Sequence, residues 1–171
     1  MPWFGRGIQI CPTQQGLKVL GVPLGQPAHI REFLENKSRE QTVLFERIPW
    51  VNDPQAAWLP LMMCASTRTN FWLRSVRPEL TEAFATRHDA NVWNCLRTIL
   101  GTSRAPASSQ VLSSLALSAG GLGLASAQRT RVGAHWASWA DCVLMVRRRH
   151  PVLAETWIHN IAHGDDHVSW Q

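Results

Sequence analysis

Tyrosine is absent from the 171 residues, and the aromatic inventory rests on nine Trp and five Phe. Lysine occurs only as Lys18 and Lys37, so 15 of the 17 cations are Arg. Acids are missing over two long stretches, one between Ala90 and Ala140 and the other between Pro54 and Pro78. No apolar run approaches the roughly 20 residues that span a bilayer, which excludes a membrane-spanning helix. The opening MPWFGRGIQI has no charged segment leading into an apolar core, so it does not read as a signal peptide. Cys11, Cys64, Cys95 and Cys142 stand at least 31 positions apart with no C-x-x-C pair, and read as buried free thiols. Together these absences lead us to expect an intracellular protein, nuclear or cytoplasmic and not secreted.

What is present is a basic chain of net charge +5 and pI near 9.7. The acid-free stretches hold Arg68, Arg74 and Arg77 in one case and Arg97, Arg104, Arg129 and Arg131 in the other. Guanidinium groups match phosphate geometry, so these seven are the candidate contacts to a nucleic-acid backbone. Arg147, Arg148 and Arg149 add a further run. The competing reading is a set of solvated helix faces with no partner.

Hydrophobic patterning places the elements. GLKVLGVPLG alternates apolar residues between Gly and Pro, as in a short strand or hairpin. A helix is expected over residues 28–48, its apolar positions Ile30, Phe33, Leu34, Val43, Leu44 and Ile48, with Pro49 ending it. Asp53 followed by Pro54 is a helix start, and Pro60 kinks or shortens that helix. The next helix opens at Pro78, runs its stripe through Leu80, Phe84, Trp93, Leu96 and Leu100, and stops at Gly101. After a polar linker, a short helix over 106–118 leads to LSAGGLGLASA. Then Val132, Trp136, Trp139, Val143 and Val146 recur at helical spacing. A final helix is expected from Pro151 to about Ala162. Trp is able to stack on unpaired bases, but Trp93, Trp136 and Trp139 lie on apolar stripes and are expected in the core.

Three features invite a chemical reading. In GGLGLAS, Gly121 and Gly123 fit the first two positions of a dinucleotide loop, but Ser126 stands where a third Gly or Ala belongs and no Val/Ile strand precedes it. Asp141 lies 20 residues after Gly121 but inside the best helical pattern, and no Lys completes a P-loop. The glycines therefore read as a connector. Asp165 and Asp166 follow Gly164 in a GDD triplet without the apolar flanking strands that would hold a metal pair rigid. His159, His163 and His167 are four apart, yet Gly164 breaks the helix that would align them. No metal site and no cofactor is expected.

GLKVLGVPLG, GGLGL and AHWASWAD, in that order across residues 16–150, resemble the region downstream of the catalytic palm in non-LTR (LINE-like) retrotransposon reverse transcriptases. In that family a segment like LGVPLG begins the primer grip and thumb, and a GGLGL segment leads into a Trp-bearing helix. The resemblance marks Leu20, Gly21, Pro23, Gly25, Gly120, Gly121, Gly123, Trp136 and Trp139 as structural motif residues. It also implies that metal-binding aspartates precede the LGVPLG segment. The 15 residues before it contain no acid, so the expectation is a thumb-like piece that is not an enzyme by itself.

The full expectation is a mostly α protein, a bundle of five to six helices with a short N-terminal β element. Residues 1–26 form the primer-grip-like hairpin, 27–163 the thumb-like helical domain and 164–171 a disordered tail. The partners implied are an RNA or DNA duplex and the palm and fingers of a polymerase, with no membrane and no small-molecule substrate. The alternative is a helical protein-interaction domain without a nucleic-acid role. At the glycines, Gly120 and Gly121 are expected to take left-handed angles, Leu122 and Leu124 to anchor the turn, and Gly123 to allow close backbone approach.

Overall fold

The structure is a computed structural model that describes residues 16–102 and 104–163. The tail 164–171, with Asp165, Asp166 and His167, lies outside the described residues, as do Cys11 and the first part of the N-terminal segment. The architecture is mostly helical with a two-stranded antiparallel sheet at the front. Among the described residues no helix is long and apolar enough to cross a membrane.

Strands β1 (Leu17–Val19) and β2 (Val22–Leu24) pair with Val19 opposite Val22. Only Leu20 and Gly21 are left to turn the chain, and both have positive φ, 50° and 87°. Two left-handed residues in a two-residue loop match the twist of the flanking strands. Pro23 is buried, and Val22 packs against Ile30, Leu34, Val76 and Phe84, so the hairpin is fastened to the helices behind it.

Helix α1 (Pro27–Arg47) buries Ile30, Leu34, Ser38, Gln41 and Phe45, a stripe stepping by three and four. It differs from the expected stripe, for Val43 is 48% exposed and two polar residues take core positions. Helix α2 (Pro54–Pro60) starts as expected, with Asp53 Oδ1 accepting from the backbone N–H of Gln55 at 2.8 Å and of Ala56 at 3.1 Å. At Pro60 the α-helix gives way to a π turn over Leu61–Ala65, closed by Ser66 N–H donating to the Leu61 carbonyl at 2.9 Å. Proline has no N–H for the ordinary ladder, and the wider turn absorbs the mismatch.

Helix α3 (Asn70–Ser75) leads into α4 (Pro78–Ile99). Gly101, with φ 63°, ends α4: its N–H donates to the Thr98 carbonyl and that of Thr102 to the Arg97 carbonyl, a Schellman closure. Leu100, expected on the core stripe, is 54% exposed just beyond that end. The short helix α5 (Ala107–Ser113) stops five residues earlier than expected. The long α6 (Ala127–Arg149) and α7 (Pro151–His163) follow.

The main core gathers Phe45, Ala57, Leu61, Val92, Leu96 and Leu124 from α1, α2, the π turn, α4 and the segment before α6. Helix α6 packs on α3 and α4 through small side chains, with Ala127 and His135 buried and Ala134 beside them. This corrects the expected stripe: Val132 is 46% and Trp136 48% exposed. The crossing is close enough that alanine, not tryptophan, fills it. Trp139 packs edge-to-face on Trp157 of α7 at 5.3 Å. Trp93 is half-buried and packs against the main core as expected, whereas the exposed Trp136 departs from that expectation. Of the described thiols only Cys95 is buried, and burial pushes it up to about 11; Cys64 and Cys142 are exposed.

Candidate nucleic-acid interface at the glycine corner

Between α5 and α6 the chain curls back on itself. Gly120, with φ 77°, ends a 3₁₀ turn over Leu117–Ala119. The Gly121 N–H donates to the Ala116 carbonyl at 3.1 Å, Gly123 to Leu115 at 2.9 Å and Leu124 to Ser113 at 3.2 Å. The glycine roles divide differently from expectation. Gly120 and Gly123 (φ 67°) take the left-handed angles, whereas at Gly121 any Cβ would overlap the Leu115 carbonyl. Leu124 is buried in the main core, and the indole N–H of Trp58 donates to the Leu122 carbonyl at 3.1 Å, tying the corner to α2. Among the described residues no parallel strand precedes the glycines; a short helix and a 3₁₀ turn lead into them, the arrangement of a connector rather than of a dinucleotide loop.

Sequence reasoning missed the residues that lock this corner. Asp89 of α4 receives Ser126 Oγ at 2.7 Å, the Ala127 N–H at 2.8 Å and the Gln128 N–H at 3.1 Å. Ser126 in turn caps α6 by accepting from the Arg129 N–H. A carboxylate thus sits on the positive end of a 23-residue helix. The Ser126 cap carried a local signal, having the residue type favoured at that position. Asp89 lies 37 positions away and carried none.

Beneath the corner, His88 places Nδ1 3.2 Å from Gln41 Oε1 and Nε2 3.2 Å from the Ser66 carbonyl. Ser66 Oγ meets the Ala125 N–H at 3.4 Å, so α1, α4, the π turn and the approach to α6 share one buried polar chain. Burial holds the His88 pKa below its ordinary value, against the opposing influence of the Ser66 carbonyl and Asp89.

The seven candidate arginines do not form one patch. Arg97 and Arg104 line a cleft of about 390 Å³ with Trp93, Leu100, Gly120 and Gly121. Arg129 lines the adjoining cleft of about 170 Å³, which shares Trp93 and Ser113 with the first. The one acid there, Asp89, is engaged at the start of α6. Arg131 is turned inward: it is 18% exposed, donates to the Pro78 carbonyl at 2.9 Å and lies 3.8 Å from Glu82. Arg74 pairs with Asp141 and Arg77 with Glu79 on the α3 side, and Arg68 is exposed between the π turn and α3.

Neither the known protein families, nor the curated proteins, nor the solved structures yield a match to this chain. The site is therefore read from its own chemistry. Among the described residues no three His, Cys, Asp or Glu side chains are grouped to hold a metal ion. What the corner offers is a shallow, acid-poor cleft with guanidinium groups at its edge and a half-buried indole in its floor. That arrangement suits a diffuse anionic chain better than a small enclosed ligand.

Proposed function

We propose that this chain is a non-catalytic helical module that holds a nucleic-acid backbone along the two adjoining clefts edged by Arg97 and Arg104 and by Arg129, as a thumb-like region of a non-LTR retroelement reverse transcriptase would. Arg97 and Arg104 on one cleft, and Arg129 on the adjoining cleft that shares Trp93 and Ser113 with it, carry the reading. The ordered LGVPLG, GGLGL and AHWASWAD segments support the family side of it, with palm and fingers as the protein partner. Titration of a DNA duplex across a salt series tests it. With about three phosphates neutralised, log affinity falls against log salt with a slope of about −2.7. Replacing all three arginines with Gln flattens that slope equally for unrelated sequences, because phosphate contacts do not read bases. A salt-independent or absent interaction overturns the proposal.

A second reading, a protein-interaction domain without nucleic acid, is favoured by one observation. Met63, Val111, Leu144 and Val152 are large apolar side chains more than 50% exposed on four different segments. It predicts self-association that rises with concentration and is unchanged by added duplex.

A further inference from the structure

The face of α6 that the crossing with α3 and α4 leaves open has an unusual make-up. Arg129, Gly133, Trp136, Ala140, Leu144 and Arg147 all lie along it, and all are exposed. They recur at steps of three and four, and Arg129 and Arg147 stand five turns apart, about 27 Å along the axis. The indole in the middle is supported from behind: the His135 ring meets it edge-on at 5.6 Å. His135 is itself buried. Gly133 and the exposed Ala137 and Ala140 leave the space beside the indole low, and a Cβ at Gly133 would meet nothing within 4 Å. No acid lies on this face; Asp141 is turned to Arg74, and Glu155 of α7 reaches only Arg147, at 3.0 Å. Arg148, beyond it, is exposed.

We infer that this face binds an unpaired nucleic-acid strand, with a base stacked on Trp136 and its backbone running between Arg129 and the Arg147–Arg148 end. The inference rests on the backbone-binding reading above and extends it, since Arg129 belongs both to the cleft and to this face. A held aromatic ring between cations, with small residues around it, suits a flat base on a phosphate chain. The charge complementarity favours this occupant over a second copy of the chain, because an antiparallel partner helix centred near Ser138 would bring Arg129 against Arg147.

The test compares a blunt DNA duplex with the same duplex carrying a single-stranded overhang of about eight nucleotides. The wild type binds the overhang substrate about tenfold more tightly. Trp136→Ala loses that gain and keeps the blunt-duplex affinity, whereas Trp136→Phe keeps part of it. Gly133→Glu, at an exposed position where a Cβ meets nothing within 4 Å, also abolishes the gain. Arg97→Gln with Arg104→Gln weakens both substrates alike and leaves the ratio unchanged. No overhang gain in the wild type, a gain that survives Trp136→Ala, or a Trp136-dependent dimer in sedimentation each overturns the inference while blunt-duplex binding persists. Loss of salt-dependent binding to both substrates would instead sink the reading on which it rests.

Discussion

The α1–α4 pair and α6 use apolar residues in opposite ways. Where α1 crosses α4, the buried stripes run straight through Ser38, Gln41, Thr81 and His88; the His88 ring meets Gln41 across the crossing, and Thr81 Oγ1 donates to the Pro78 carbonyl of its own helix. Along α6 the buried face is Ala127 and His135 with the partly buried Ala134 beside them, and Val132 and Trp136 are left outside. Where a helix packs on two others, the side chains buried are those whose shape fits the space between them, here two alanines and one imidazole. Side-chain size and partner geometry, not hydrophobicity alone, select the face that is buried. Helix α7 sharpens the contrast, since it packs chiefly on α6 and, among its described side chains, contributes a single fully buried apolar residue, Ala154.

The contrast fails if the α1–α4 region proves no more sensitive than the α6 face. Leu96→Ala, which empties a site 2% exposed in the main core, should cost about 3 kcal/mol in urea unfolding. Gly121→Ala should cost about 2 kcal/mol, because the Leu115 carbonyl it would strike is backbone and has no rotamer to escape into. Asp89→Ala strips three donors at the start of α6 of their acceptor and should cost about 2 kcal/mol. Hydrogen exchange should place the resulting loosening in α6 and α7 before α1.

Acid sharpens the comparison from another side. The folded-state pKa of His88 lies below the ordinary 6.5, so below that pH the unfolded chain binds the proton first. Stability is therefore fully present above about pH 6.5 and declines as pH falls towards the folded-state value. His135, also lowered by burial, adds in the same direction. The urea midpoint should fall between pH 7 and pH 5, and His88→Gln should reduce that fall without removing it. At the small end, Trp136→Ala should change stability by no more than about 0.5 kcal/mol, the range of surface substitutions. A loss of 2 kcal/mol or more there would mean that the open face of α6 is packed after all.

Much of the helical frame was legible from local chemistry. Asp53 with Pro54, Pro60 and Gly101 each act through their own backbone geometry, and each lies where the pattern put it; the pattern placed a strand or hairpin over residues 16–25 but not its turn at Leu20 and Gly21. The candidate site was legible only in part. Seven arginines share two acid-free stretches, but folding sends Arg97 and Arg104 to one cleft and Arg129 to the adjoining one, turns Arg131 inward and pairs Arg74 and Arg77 with acids. Asp141 lies 67 positions from Arg74, a separation over which no periodicity carries information.

By itself the sequence determined where the capped and proline- or glycine-bounded helices begin and end, because such residues act within a few positions of themselves, but not where α5 stops. It also determined the positive charge and the acid-poor stretches. Only the tertiary structure decided which face of α6 is buried, which carboxylate closes its N-terminus and which arginines share a cleft. Those outcomes depend on how closely distant elements approach, and that distance is a property of the packed whole.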